Sequence, residues 1–185
     1  MKDPRSILIT GASAGIGAAL ARAYARPGVT LSLTGRNAER LAAVAAACQE
    51  AGAEVESATL DIADAAAVAD WVASAERKHP LDLAIANAGI TGGLAGDGSG
   101  ESLADVQRMM SINFGGVCST VHPLIPAMRQ RRRGQLALMS SLAAVRGLPY
   151  SPAYCASKAA LKVYGEALGS WLRPEGIEVS VVLPG

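Results

Sequence analysis

The chain has 185 residues, half of them hydrophobic, with 17 Lys plus Arg against 16 Asp plus Glu and a formal net charge of +1. This length suits a single domain with a real core, and the near-neutral balance excludes a global field that would draw nucleic acid or an acidic membrane. Cys48, Cys118 and Cys155 are widely spaced and the two histidines, His79 and His122, have no partner at ligand spacing, so the composition predicts reduced thiols, no disulfide framework and no metal.

In chain order, the N-terminal apolar run is too short for a signal peptide, and no later segment is long enough to cross a bilayer. A soluble, cytosolic protein is expected. The first strand is predicted at Ser6–Thr10, followed by a helix over 15–26. A second strand at Val29–Leu33 leads to a helix over 37–51, and a third at Glu54–Thr59 to a helix over 64–78. The fourth strand, Leu81–Ala86, is followed by the glycine-rich stretch Thr91–Gly100, which reads as a flexible loop. One long helix is predicted over 101–131, with Leu103, Val106, Met110, Val117, Val121, Leu124 and Met128 as its apolar stripe. A strand at Gln135–Ser140, a helix over 153–172 and a final strand at Ile177–Leu183 complete the series. That last strand is almost wholly apolar and is expected to be buried on both faces. Repeated βα units predict an α/β protein, with one parallel sheet covered by helices and a single domain over 1–185.

Three segments carry chemistry. Residues 10–17 read TGASAGIG and place Gly11, Gly15 and Gly17 between the first strand and the first helix. A diphosphate can approach a helix N-terminus only where no side chain blocks the exposed N–H groups, which is the steric demand that glycine meets. A plain helix-entry turn is the alternative. A dinucleotide site of the common kind places an acidic residue after the second strand to hold the ribose hydroxyls; here that strand runs into Gly35 and Arg36. An arginine at that position suits a 2′-phosphate, which favours NADP(H) over NAD(H), although a solvated loop charge would read the same way. Finally, Tyr154 and Lys158 stand four apart in SPAYCASKAAL, on one face of a helix. A free tyrosine has a pKa of about 10; an ammonium at about 4 Å and an effective dielectric of about 20 favours the phenolate by roughly 4 kcal/mol, or about 3 pKa units.

Together with LTGRN, LDIAD, ANAG, Asn113 in SINFGG, Ser141 in ALMSSLAA, YCASK and the final LPG, these segments resemble the classical short-chain dehydrogenase/reductase family along the whole chain. The resemblance implies a Rossmann-type doubly wound sheet in three α/β/α layers, and hydride transfer between a nicotinamide and a small-molecule carbonyl or secondary alcohol. It implies that Tyr154 donates or removes the proton, Ser141 positions the substrate oxygen, Lys158 also binds the nicotinamide ribose, and Asn113 holds a water linking Lys158 to solvent. It places Gly11, Ser13, Gly15, Ile16, Gly17 and Arg36 on the cofactor, Asp61 and Ile62 on adenine, and Asn87, Ala88 and Gly89 along it through backbone groups, with Tyr154, Lys158, Pro184 and Gly185 at the nicotinamide end. Relatives commonly associate through the helices at 101–131 and 153–172, which implies a homodimer or homotetramer. Each residue also has a bland reading: Ser141 as a cap, Asn113 as a buried amide satisfied by a neighbouring carbonyl, Tyr154 as core.

Two features are discounted. RQRRRG, residues 129–134, ends the long helix, where cations complement the dipole and reach solvent, and no aromatic platform accompanies it; nucleic-acid binding is not expected. Cys155 reads as a small helix residue, because hydride transfer needs no thiol. The family usually continues beyond a Pro-Gly at the position of Pro184–Gly185, and the sequence is expected to be an incomplete chain. A dinucleotide-binding module without turnover is therefore the second reading of function.

Overall fold

The computed structural model describes residues 3–93 and 100–185. Six strands, β1 (Ser6–Thr10), β2 (Thr30–Gly35), β3 (Glu54–Thr59), β4 (Leu83–Ala86), β5 (Gly134–Met139) and β6 (Ile177–Val182), form one sheet in the order β3-β2-β1-β4-β5-β6. Every neighbouring pair is parallel. Parallel neighbours need crossovers, and the helices supply them: α1 (Gly15–Tyr24), α2 (Ala38–Glu50), α3 (Ala65–Lys78), α4 (Leu103–Met110), α5 (Gly116–Val121), α6 (Ile125–Arg131) and α7 (Pro152–Leu172). This is the Rossmann-type doubly wound arrangement, with its strand order reversing between β1 and β4.

Alternation along the strands makes two cores. Ile7, Ile9, Leu31, Leu33, Leu83 and Ile85 face one side and pack with Ala18, Ala21, Leu41 and Val44 of α1 and α2. Leu8, Ala84, Ala86, Leu136 and Leu138 face the other side and meet Val68 and Val72 of α3, Val117 and Val121 of α5, and Leu161 and Leu168 of α7. The central strands read as apolar runs because both faces are covered; each fully buried Leu or Ile contributes about 1.5–3 kcal/mol relative to exposure. Cys48, Cys118 and Cys155 are free thiols. Burial pushes the Cys48 and Cys118 thiols up, which suits packing rather than reactivity.

The last strand departs from expectation. β6 is an edge, and its residues alternate: Ile177, Val179 and Val181 pack toward α7, while Glu178, Ser180 and Val182 face outward, with Val182 40% exposed. Its apolar composition suggests burial on two faces, but Glu178 and Ser180 break the run, and among the described residues only one face of β6 is covered.

The predicted helix over 101–131 is also broken. A π-helical turn occupies Ser111–Gly115 and a 3-10 turn His122–Leu124, separating α4, α5 and α6. Pro123 and Pro126 remove the N–H groups that the carbonyls of Ser119 and His122 would accept from, so the 3₁₀ turn sits where the ladder cannot continue. The stripe holds from Val117 to Met128, but Leu103, on the other side of the π turn, is 73% exposed. Within the glycine-rich stretch, residues 94–99 lie outside the described residues.

The arginines of 129–133 reach solvent, as their composition suggests, and are at the same time paired. Arg129 pairs with Glu175, Arg131 pairs with Glu76 and donates to the Leu81 carbonyl at 2.7 Å, Arg132 donates to the Pro174 carbonyl at 2.7 Å, and Arg133 pairs with Asp82 at 3.1 Å. Glu76 is buried and also accepts from Leu81 N at 2.9 Å, so this segment locks the end of α6 onto α3, β4 and the turn before β6. Among the described residues no helix is long and apolar enough to cross a membrane.

Candidate active site

Two adjoining cavities lie at the C-terminal ends of the strands, where the strand order reverses. The larger, about 650 Å³, is walled by Gly11, Ser13, Gly15 and Ile16 of the turn after β1, by Gly35, Arg36, Asn37 and Arg40 after β2, and by Ile62, Asn87, Ala88 and Gly89. The smaller, about 200 Å³, is walled by Ser140, Ser141, Tyr154, Lys158, Pro184 and Gly185. Ile16, Asn87, Gly89 and Ile90 border both, so the two form one continuous groove.

The glycine turn is built for close approach. Gly11 has φ +68 and Gly15 has φ +54, backbone states that side chains resist. Gly17 faces inward, where a Cβ would fall 2.3 Å from the Gly11 carbonyl oxygen; it lies under the turn and does not line the groove. The N-cap of α1, Ala14, makes no side-chain capping bond, and the first turn carries no acidic residue. The N–H groups and dipole at this end therefore face the groove, uncapped by side chains and favourable to an anion. Thr10, which composition alone does not mark, joins this turn to the end of β4: its Oγ1 accepts from Asn87 N and Ala88 N, both at 3.1 Å. The Asn87 amide returns the contact by donating to the Thr10 carbonyl at 3.0 Å.

At the far end, Gly35 lets Ser13 approach; a Cβ there would lie 2.8 Å from Ser13 Oγ. Arg36 and Arg40 are both exposed, line the cavity, and form no ion pair among the described residues. Asn37 caps α2 by accepting from Arg40 N at 2.8 Å, which fixes the turn that presents the two arginines. Arg40 escaped the sequence reading, although its signal was available: it lies four residues after Arg36, in the first turn of a helix that starts at the cavity. Ile62 lines the groove, but Asp61 does not. One of its carboxylate oxygens, Oδ1, accepts from Ala63 N at 3.0 Å, closing the turn before α3.

The reacting end is drawn together from three elements. Ser141 follows β5; its Oγ accepts from Ala143 N at 3.1 Å, which leaves its own O–H hydrogen for the cavity. The bland role as a cap is thus real and coexists with exposure to the groove. Tyr154 lies in the first turn of α7 and Lys158 one turn later, with Lys158 Nζ over the tyrosine ring, 5.8 Å from its centroid. Lys158 is buried, its Nζ donates to the Met139 carbonyl at 2.8 Å, and burial holds its pKa down at about 8. Ser140, another residue the sequence reading passed over, donates to the Lys158 carbonyl at 2.8 Å and ties β5 to α7. Leu142 N donates to the Pro184 carbonyl at 2.9 Å, which brings Pro184 and Gly185 to the rim.

Asn113 does not line either cavity. It is completely buried in the π turn; its Oδ1 accepts from Ile90 N at 2.8 Å, and its Nδ2 donates to the Ile90 carbonyl and to Ser157 Oγ, both at 3.0 Å. The side chain is occupied by protein partners, as the bland reading expected. It nevertheless stands beside the site, because a Cβ on Gly89 would come within 3.1 Å of Asn113 Oδ1 and 3.5 Å of Lys158 Nζ. Cys155 is buried and its Sγ accepts from Leu148 N at 3.2 Å, a structural contact that holds the segment before α7.

Comparison with known proteins agrees with this architecture. A family model for short chain dehydrogenases matches residues 5–185. An uncharacterized oxidoreductase of Myxococcus xanthus is 37% identical over 182 residues, covering 98% of this chain and 71% of that protein. The ketoacyl reductase HetN of a Nostoc species is 31% identical, covering 98% of this chain and 63% of its own length. The chain thus spans roughly two thirds of these relatives. Among solved structures, a metagenomic short-chain oxidoreductase in complex with NADP superposes with a TM-score of 0.90 at 31% identity, over 98% of this chain and 82% of that one. With the family model matched from Arg5 to the last residue and the sheet order of that fold in place, the chain belongs to the short-chain dehydrogenase/reductase family, whose members are NAD(P)-dependent oxidoreductases.

Proposed function

We propose that this protein is an NADP(H)-dependent oxidoreductase that interconverts a carbonyl compound and the corresponding secondary alcohol. The observation that carries the reading is the continuity of the groove: uncapped helix N-terminus and two arginines at one end, Ser141, Tyr154 and Lys158 at the other. The glycine turn fits a dinucleotide, since a side chain at Gly11 or Gly17 would collide with the backbone that cradles the diphosphate. Ser13, Arg36 and Arg40 would hold the 2′-phosphate, Ile62 the adenine, and Asn87, Ala88 and Gly89 the middle of the molecule. When bound, the reduced nicotinamide supplies the hydride for the carbonyl carbon.

The protein's own groups handle the oxygen. Ser141 donates its free O–H to the carbonyl oxygen and fixes its position. Tyr154 gives that oxygen the phenolic proton, and the Lys158 ammonium beside the ring stabilises the phenolate left behind. With its pKa at about 8, Lys158 can hold or release a proton near neutral pH, which suits a group that resupplies the tyrosine. Asn113 acts at one remove, holding Ile90 and Ser157 so that Gly89 and Lys158 keep their places. The M. xanthus and Nostoc proteins are called an oxidoreductase and a ketoacyl reductase, and the superposed structure holds NADP, which supports the reaction class and the cofactor. We place the protein in the cytoplasm as a single dinucleotide-binding domain that pairs with copies of itself through α4–α7. Reduction of acetophenone and diacetyl with NADPH, followed by loss of absorbance at the nicotinamide band, tests the reading. Tyr154→Phe is expected to remove at least about 100-fold of the rate, the contribution of a positioned proton donor; parental turnover by that variant would refute it.

A further inference from the structure

The tyrosine helix begins without a cap of its own. Ser151 stands at the N-cap of α7, but its side chain makes no capping bond; Oγ donates instead to the Gly92 carbonyl at 2.8 Å. Pro152 follows and has no N–H to be capped. The next N–H, that of Ala153, donates to Glu101 Oε2 at 2.9 Å, across 52 residues of chain. The other carboxylate oxygen, Oε1, is buried and has no hydrogen-bond partner among the described residues. Removing a carboxylate oxygen from water without a partner is costly, so the contact with the helix must offset that cost. An anion at a helix N-terminus gains both the orphan N–H and the favourable end of the dipole.

The location of this cap matters more than its strength. Ala153 immediately precedes Tyr154, so the residue held by Glu101 sets the backbone from which the tyrosine side chain departs. Ser151 and Gly92 make a second tie to the same turn. On the opposite side, Ser157 Oγ donates to the Tyr154 carbonyl at 2.8 Å while accepting from Asn113. The backbone around Tyr154 is therefore fixed from both sides, by Glu101 before it and by Ser157 after it.

We propose that Glu101 is a positioning residue of the reaction: as a remote cap of α7 it fixes the first turn and thereby the direction in which Tyr154 enters the cavity. This inference rests on the reading of Tyr154 as the proton donor. Parent, E101A, E101Q and Y154F proteins are compared in NADPH-dependent reduction of acetophenone and diacetyl, with NADPH affinity by fluorescence and amide exchange of the first turn of α7 by mass spectrometry. In E101A, exchange over residues 153–155 is expected to quicken about 5-fold or more, the factor lost with an ordinary cap. The kcat is expected to fall about 10-fold or more through misplacement of the hydroxyl, with NADPH affinity held within about 2-fold. E101Q keeps an acceptor oxygen and should recover most of kcat. Parental exchange in E101A overturns the cap whatever turnover does, and faster exchange with a parental kcat overturns the positioning role. A parent that reduces neither ketone, or a Y154F protein that matches the parent, overturns the proposed function and with it the positioning role, while first-turn exchange still decides whether Glu101 caps α7.

Discussion

Lys158 offers a test that needs no substrate. Its side chain is 5% exposed, and burial lowers its pKa from 10.5 to about 8. The sign follows from proton counting. Between about pH 8 and pH 10.5 the unfolded chain keeps the proton that the native state has released, so native stability rises with pH across that window; below about pH 8 both states are protonated and the cost of burying the ammonium is paid in full. With these two values the contribution of Lys158 becomes more favourable by about 2.5 kcal/mol between pH 7 and pH 10. Lys158→Met keeps an unbranched chain of similar length and removes the titration. Urea denaturation of parent and variant at the two pH values isolates the effect, because the other titrating groups cancel in the difference. The stability gap, parent minus Lys158→Met, should move in the parent's favour by about 2–3 kcal/mol on going from pH 7 to pH 10. A gap that stays constant, or moves the other way, would mean that Lys158 keeps an ordinary pKa in the folded protein and that its bond to the Met139 carbonyl holds a fully charged ammonium without strain.

Two further predictions concern the cofactor end. Arg36→Ala and Arg40→Ala should each weaken NADPH binding by about 10-fold or more, as expected for loss of a charge-assisted bond to phosphate, while leaving NADH affinity nearly unchanged. Fluorescence titration with the two dinucleotides checks this, and equal losses for both would mean that the arginines do not read the 2′-phosphate. Gly17→Ala should cost about 1–3 kcal/mol of stability, because the added methyl meets the Gly11 carbonyl oxygen at 2.3 Å and the backbone must yield; a urea midpoint equal to that of the parent would show that the turn adapts freely.

Much of this site was legible because its residues sit at the ends of strands whose apolar runs are unmistakable. Strand, glycine turn and helix occur in sequence from Ser6 to Tyr24, and that order alone fixes where an anion can be received. Tyr154 and Lys158 share a helix face by arithmetic. Only part of what escaped was set by neighbours distant in sequence. In β6 the local signal is present but outweighed: Glu178 and Ser180 alternate with Ile177, Val179 and Val181 and mark the outward face, while the overall apolar composition suggests burial on both. The Asp61 side chain closes its own turn through Ala63 N, a bond that its charge alone does not announce. The arginines after Met128 reach solvent as expected, but their pairing with Glu76, Asp82 and Glu175 comes from segments distant in sequence.

The break in the long helix shows how such distant contacts serve the site. A regular helix through residues 103–131 would satisfy its own backbone and ask nothing of β4. Instead, the π turn places Asn113 where both polar ends of its amide meet the backbone of Ile90, and a third bond reaches Ser157 on α7. Gly116, just beyond the turn, is bare because a Cβ would meet Ile62 Cγ1 at 2.6 Å, so the same irregularity brings the helix against a residue of the larger cavity. One local departure from α geometry therefore joins the segment after β4, the tyrosine helix and the wall of the groove. A buried amide with all these partners is costly to disturb, since two of its bonds satisfy the Ile90 backbone and the third the Ser157 hydroxyl. A Cβ added at Gly89 would come within 3.1 Å of Asn113 Oδ1 and 3.5 Å of Lys158 Nζ, so the bare glycine leaves room for both, and it is the irregular turn, rather than the regular helices around it, that brings Asn113 to this wall of the groove.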